Sequence, residues 1–467
     1  MPKRVRSKWA VLLAAWLVAG CADDAMLNKP LPPSALNNGP GPISRGGYHL
    51  LEIGPSKSPD TLVLIAFSGG GKRSAAFGYG VLKGLRDYPL VINGRGTSLL
   101  DQLDMMASVS GGSFPAAYYG LYRDKIFTDF EKDFLDQDIA AYIWGTYLLP
   151  WHLGWLFNPN YGTNDRMAGV YDDLMFHGAT YADLLKQGRP ILSVDATDVS
   201  HEFVFPFLQD QFDLLCSDMS SYPIARAVAA SNGFPILFSP ITLKSYRAQC
   251  GGRRPSWLSG DIPHDPLSRV DRQKEIAETY LDSENTRYVH LLDGGISDNL
   301  AMRGIINVIL VLTGVANSDR FDFTHIRRIL LISSDGQSVS DDSTARKRNL
   351  SGLGQIFSAV SGTQIDSYNF ETMILANNMV ADLRDTISKK RCAGGPISPD
   401  GHPCNDVQSF FVHLSLQEIK DPAERARLQS IRTGLTIPHD DVARLEVAGQ
   451  TVVATSPELI AFRNSLR

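Results

Sequence analysis

The chain has 467 residues, 43% hydrophobic and 20% charged, with 40 Gly and 26 Pro. This is ordinary globular composition, which excludes a disordered chain or a coiled coil. The length allows about three domains, or fewer if α/β units run long. A net charge of −5 supplies no basic face for nucleic acid, and no nucleic-acid partner is expected.

At the start, Lys3, Arg4, Arg6 and Lys8 precede an uncharged apolar run, Trp9–Gly20. The run is short for a membrane span, which takes about 20 residues. Its shape predicts a secretory signal peptide over residues 1–20. The end of that run, Leu17-Val18-Ala19-Gly20-Cys21, resembles a bacterial lipoprotein cleavage box, in which Cys21 is lipidated and becomes the mature N-terminus. The alternative is an ordinary signal peptide or short anchor in which Cys21 is incidental. Removing residues 1–20 deletes four positive charges and no negative ones, moving the net charge from −5 to −9. An acidic protein gains little from anionic lipid, so the acyl anchor would have to hold it at the membrane. The implied place is the bacterial cell envelope, facing the periplasm, at the outer rather than the inner membrane. Residues 21–59 then serve as lipidated N-terminus and linker, since 22–47 are rich in Pro, Asn, Gly and Asp.

From Thr61 the texture changes. Thr61–Phe67 (TLVLIAF) reads as a buried strand, and Ser74–Asp87 as a helix with Phe77, Leu82 and Leu85 at helical spacing. Further strands are predicted at Met105–Val109, Pro190–Asp195, Arg287–Leu292 and Arg327–Ser333. Strands alternating with helices predict an α/β fold, a mostly parallel central sheet flanked by helices on both faces. Ligands of such sheets sit at the carboxyl ends of the strands. The stretch 118–181 is heavy in aromatics, including Tyr118, Tyr119, Tyr122, Tyr142, Trp144, Tyr147, Trp151, Trp155, Phe157 and Tyr161. It is either core packing, or a lid or apolar wall for an acyl chain, or an interfacial surface. Residues 336–467 form a C-terminal α+β extension packed on the 60–335 domain, with a helix at Phe370–Ile387 and a strand at Phe410–Leu416. A closing helix at Ser456–Leu466 is capped by Ser456 before Pro457.

Four cysteines follow Cys21: Cys216, Cys250, Cys392 and Cys404. An even number in an exported chain points to disulfides, and four cysteines allow three pairings. Nearest-neighbour pairing, Cys216–Cys250 and Cys392–Cys404, is expected, with free buried thiols the alternative. No Cys/His spacing resembles a zinc site, and neither metal nor cofactor is expected.

Three glycine-bearing motifs fall at predicted strand ends. Ser68-Gly69-Gly70-Gly71-Lys72-Arg73 opens a helix, where free N–H groups and the helix dipole suit an oxyanion hole or a phosphate cradle. A P-loop reading fails at two positions, because Ala66 stands where its first Gly belongs and Arg73 where Ser or Thr belongs. Ser108-Val109-Ser110-Gly111-Gly112 joins a strand to a helix as a nucleophile elbow does. Ser108 replaces the first Gly of that pattern but is still small. Asp293-Gly294-Gly295 puts a carboxylate at a strand end, although Asp-Gly alone is a common turn pair.

Together the three resemble the patatin-like phospholipase family, whose relatives include the cytosolic phospholipases A2. That family carries G-G-G-x-R, the serine elbow and D-G-[GA] in this order. Ala230–Pro240 (ASNGFPILFSP) matches a fourth block, A-S-x-x-x-P-x-x-F-x-P, and Asn299 matches the asparagine that follows D-G-G. The likeness covers roughly residues 60–335. It implies a three-layer patatin-like fold and a serine acyl hydrolase, acting on phospholipid or lysophospholipid through a Ser–Asp dyad without histidine. It places the nucleophile at Ser110, the base at Asp293 and the oxyanion hole at Gly69, Gly70, Gly71 and Gly111. Arg73 matches the motif arginine and either meets a substrate phosphate or orders the glycine loop. Lys72 is expected as a solvated helix-start residue. His290 lies three residues before Asp293, and strand alternation turns it away. A free Asp with a pKa near 3.9 is a weak base toward a hydroxyl, so either partial burial raises it or the proton moves late in the step. A broad carboxylesterase, an acyltransferase and a non-catalytic lipid-binding envelope protein are the competing readings.

Overall fold

The structure, a computed structural model, describes residues 27–36, 43, 46–50, 53, 56–92, 94–141, 162–235, 237–255, 258, 264–310, 323–337, 348 and 353–467. The expected signal peptide, Cys21 and the aromatic residues between Tyr142 and Tyr161 lie outside them.

The elements that carry the fold are, in chain order, β1 (Thr61–Phe67), α1 (Gly71–Arg86), β2 (Met105–Val109), α2 (Ser113–Tyr122) and α3 (Thr163–Tyr171). Next come β3 (Ile191–Asp198), β4 (Phe203–Pro206), α4 (Ile224–Ser231), β5 (Ile241–Lys244), β6 (Tyr288–Leu292), α5 (Gly295–Asp298), α6 (Met302–Leu310) and β7 (Arg328–Asp335). The chain ends in α7 (Leu353–Cys392), β8 (Gln408–Ser415), α8 (His439–Thr455) and α9 (Pro457–Ser465).

The main sheet runs in the order β8-β7-β1-β2-β3-β6-β5, with β4 also pairing β3. The five strands from β8 to β3 are mutually parallel. Every residue of β1 and β2 is buried, as expected where helices cover both faces and strands read as unbroken apolar runs. The sheet is thus mostly parallel, as expected, and only its other edge is antiparallel. β6 runs antiparallel to β3, as do β4 and, against β6, β5.

That reversal decides where Asp293 lands. β6 pairs only with the last two residues of β3, Leu291 with Asp198 and Leu292 with Thr197. The chain therefore travels back along β3 and leaves the sheet beside Asp195, which is the partner of Val109 at the end of β2. Asp293 thus reaches the end of β2 from the opposite direction to a parallel strand.

The C-terminal extension is part of the same sheet rather than a separate unit. β8 pairs with β7 along its whole length. α8 crosses α1 so closely that a Cβ on Gly80 would strike the backbone of Glu446, and one on Gly449 would lie 2.5 Å from the Phe77 carbonyl. Glycine weakens a helix interior but allows this approach. α7 is more than twice the length expected and carries the buried stripe Ala376, Val380, Leu383 and Ile387, spaced for one helix face. At α9, Ser456 caps the helix by accepting from the Leu459 N–H, as predicted.

The supposed linker also packs in part. Lys29–Pro30 pairs with Ser217–Asp218, and the Tyr48 hydroxyl accepts the Leu192 N–H at 2.7 Å. The described aromatics Tyr118, Tyr119, Tyr171 and Tyr181 are buried in the core, which is the packing reading for that part of the stretch. Cys216 is bonded to Cys250 and Cys392 to Cys404, the nearest-neighbour pairing. Among the described residues no helix is long and apolar enough to cross a membrane.

Candidate active site

Ser110 follows the last residue of β2 and adopts φ +51°, a conformation that non-glycine residues rarely take and that stores strain. Local packing holds it there. The Ser110 N–H donates to Ser231 Oγ at 2.9 Å, and Ser231 Oγ in turn donates to the Asp195 carbonyl at 2.6 Å. The small residues around the serine are required by contact. A Cβ on Gly112 would lie 2.6 Å from the carbonyl oxygens of Phe67 and Ser68. Ser108, in place of the usual glycine, is fully buried and donates its hydroxyl to the Ser193 carbonyl at 3.3 Å. The extra atom is thus accommodated without an orphaned polar group.

The Ser110 hydroxyl lies 2.9 Å from Asp293 Oδ2. The other carboxylate oxygen, Oδ1, accepts the Gly295 N–H at 2.8 Å. The Asp293 main chain is fixed as well, since its N–H donates to the Gly233 carbonyl and its carbonyl accepts the Thr197 hydroxyl. Burial pushes the Asp293 carboxyl up to about 6, against the smaller lowering effects of the Gly295 and Ser110 donors. Desolvation disfavours the charged form, and it shifts this acid toward the value a base at neutral pH needs.

The glycine loop lies against the elbow. A Cβ on Gly111 would run into the Gly71 carbonyl, and one on Gly69 would lie 3.3 Å from Ser110 Cβ. Gly70 at φ +137° and Gly71 at φ +61° hold a backbone shape that only glycine takes readily. Their N–H groups stand at the start of α1, where no carbonyl of the helix can accept them. Gly69 is a correction to the expected oxyanion set. Its N–H donates to the Asn299 carbonyl at 2.8 Å, so it is not available to an oxyanion.

Arg73 is a second correction, but only to its substrate-phosphate alternative; its contacts fit the loop-ordering one. It is buried, with Nε donating to the Gly336 carbonyl and Nη1 to the Ile431 carbonyl, both at 2.7 Å. A guanidinium engaged in this way orders the loop and does not face a substrate phosphate. Lys72 is a third. Far from solvated, it is buried, its Nζ donates to the Leu135 and Gln137 carbonyls, and burial lowers its pKa to about 8. His290 is exposed and bonds Thr242 across β5; it makes no contact with the dyad.

Two groups went unassigned at the sequence level. Asn232 Oδ1 lies 3.1 Å from Ser110 Oγ, and Nδ2 donates to the Tyr171 hydroxyl at 2.9 Å. Ser231 pins the elbow. Both sit in the A-S-N start of the fourth block, and a polar pair closing an apolar helix was the available signal. Behind them Asp195 is fully buried and pushed up to about 8, chiefly by burial. Asp298 is pushed up to about 6 by burial.

Among the described residues one group has metal-ligand character. Ligand atoms of His264, Asp271 and Glu275 lie within 4.8 Å of one another. Asp271 Oδ2 already takes His264 Nδ1 at 2.7 Å and the Asp265 N–H at 2.9 Å, and Glu275 pairs with Arg272. These contacts explain the cluster as helix-start packing.

A family model described as Patatin-like phospholipase matches residues 65–306. Among solved structures, the chain is similar to human GIVD cytosolic phospholipase A2, at 14% identity and a TM-score of 0.41. It is also similar to the same human protein in complex with a methyl gamma-linolenyl fluorophosphonate inhibitor and terbium chloride, at 15% identity and a TM-score of 0.40. The first match covers 90% of this chain and 62% of that one, and the second 90% and 61%. The chain thus spans about three-fifths of the length of those structures. No curated protein matches the chain.

Proposed function

The chain belongs to the patatin-like phospholipase family, and we propose that it is a serine acyl hydrolase cleaving fatty-acyl esters of phospholipid or lysophospholipid. The observation that carries this reading is the 2.9 Å hydrogen bond from a strained Ser110 to a buried Asp293 beside the glycine loop. In the proposed reaction Ser110 Oγ attacks the ester carbonyl as Asp293 takes its proton. The N–H groups of Gly70, Gly71 and Gly111 receive the oxyanion, each such donor contributing about 3–4 kcal/mol to the transition state. The protonated Asp293 then supplies the proton to the leaving alcohol, and an acyl-serine remains for water to cleave. Arg73 acts through the loop, whose shape it braces.

Anchoring belongs to the same proposal. A lipidated Cys21 would hold the enzyme against the envelope membrane that contains its substrate. Cys21→Ala is expected to abolish incorporation of a labelled fatty acid and release the protein from the membrane fraction; unchanged fractionation would remove the anchor from the reading.

The activity is tested with a fluorophosphonate probe and a labelled phospholipid in mixed micelles with chelator present. Labelling and fatty-acid release by the wild type, with both lost in Ser110→Ala, is the expected result. A folded wild type that cleaves soluble short-chain esters yet leaves phospholipid intact would favour the broad carboxylesterase.

A further inference from the structure

Ser110 Oγ has two acceptors and one proton. Asp293 Oδ2 lies at 2.9 Å and Asn232 Oδ1 at 3.1 Å, and a hydroxyl serves one acceptor at a time. Acylation requires only the carboxylate. The amide is nevertheless held firmly. Its Nδ2 donates to the Tyr171 hydroxyl at 2.9 Å, which turns Oδ1 toward the serine. Its main-chain N–H is bonded to the end of α4, and the side chain is buried. A buried polar group aimed at a nucleophile whose first step does not need it calls for a role in another step.

The second step offers that role. Once Ser110 is acylated it donates no hydrogen bond, and both acceptors are released together. Water carries two O–H groups, and an alcohol carries one. We propose that Asn232 is a second acceptor which, with Asp293, orients the hydrolytic water and so biases the acyl-enzyme toward hydrolysis over transfer to an alcohol. The inference rests on the Ser110–Asp293 acyl-enzyme reading.

In this step one water O–H donates to Asp293 Oδ2 and the other to Asn232 Oδ1. A water lone pair forms the new C–O bond as Asp293 takes the first proton, and the carbonyl electrons move onto the oxyanion. The tetrahedral intermediate collapses, the C–Oγ bond breaks, and Asp293 returns the proton to Ser110 Oγ. The second proton stays on the new carboxylic acid until it ionises into solvent. An alcohol can satisfy Asp293 but leaves Asn232 Oδ1 without a donor, which penalises transfer.

The test uses the full chain, Asn232→Leu and Tyr171→Phe. One aliquot of each is labelled with a fluorophosphonate to count competent Ser110, and a separate, untreated aliquot is mixed rapidly with a p-nitrophenyl acyl ester at fixed methanol. Methyl ester and free fatty acid are both measured. For Asn232→Leu the expected result is a nitrophenol burst of one per labelled site, followed by turnover about tenfold slower than wild type. The ratio of methyl ester to fatty acid should rise about tenfold, the scale of one lost hydrogen bond. Tyr171→Phe, which only loosens the amide, should shift the ratio in the same direction by less. A labelled, bursting Asn232→Leu whose product ratio matches wild type would overturn the inference, as would equal slowing of burst and turnover. If Asn232→Leu does not label, an unchanged ratio in labelled Tyr171→Phe overturns it. A wild type that does not label sinks the acyl-enzyme reading itself, a failure separable from all of these.

Discussion

On one side of the glycine loop lie β2, its elbow and the turn at Asp293. On the other lie residues 431–438 and α8. The first side is built from short local signals, in which a strained serine, an acid and glycines each follow a strand. The second side has no such signal, yet it holds the loop just as directly. The Gly434 carbonyl accepts the Lys72 N–H at 2.8 Å, the Ile431 carbonyl takes Arg73, and Gly434 sits where any Cβ on Gly71 would have to go. Chemistry is thus written on one side, while the loop's shape is shared with a segment more than 350 residues away in sequence. The difference teaches that the two sides should fail in different ways, one in rate and the other in stability.

The largest expected effect separates them. Asp293→Asn should lower kcat/KM by about 10²–10⁴-fold, the contribution expected of a positioned general base, while denaturant unfolding stays close to wild type. An equal loss of stability would break the contrast. The same residue sets the pH profile. Its carboxyl is raised to about 6, so below that pH it holds its proton and cannot accept one. Wild-type kcat/KM should therefore rise with pH through a midpoint near 6, as a plot over pH 4–8 would reveal.

On the other side, Gly80→Leu should cost about 3 kcal/mol, because the added side chain enters a helix contact already closed on the Glu446 backbone. Urea unfolding is the measurement, and a neutral result would mean α8 is free to move away. Arg73→Met joins the two sides and should reduce kcat/KM about tenfold, the scale of losing one or two braces on the loop. The loss should be equal for phospholipid and for a phosphate-free ester. A selective loss on phospholipid would return Arg73 to the substrate. The smallest effect is expected for Lys83→Met. Lys83 links Glu131 and Glu446 at 2.7 and 2.8 Å, but the group is partly solvated, so about 1 kcal/mol of stability should be lost and activity nearly kept.

Much of the site was legible because its requirements are local. Ser110 needs small neighbours for its turn, Gly70 and Gly71 need positive φ, and both demands appear as residues adjacent in the chain. The solvated reading of Lys72 and the substrate-phosphate alternative for Arg73 fail for the same reason. Beside a helix start they look like solvent or substrate cations, and only the carbonyls of Leu135, Gln137, Gly336 and Ile431 show otherwise. By sequence Gly69 belongs with Gly70 and Gly71, but the Asn299 carbonyl occupies its N–H.

The sequence alone determined the strand cores, because apolar runs act over a few positions, while the elbow, the glycine loop and the acid, each a common turn by itself, were singled out by their order and the family resemblance it carries. Tertiary structure alone decided three things. It set the direction of β6, since a short apolar strand pairs equally well either way until its register with β3 is known. It brought Asn232 to Ser110 through the end of α4. It also placed 431–438 over the loop. Each of these depends on a contact between distant segments, and no local pattern of side chains records which carbonyl a buried donor will meet.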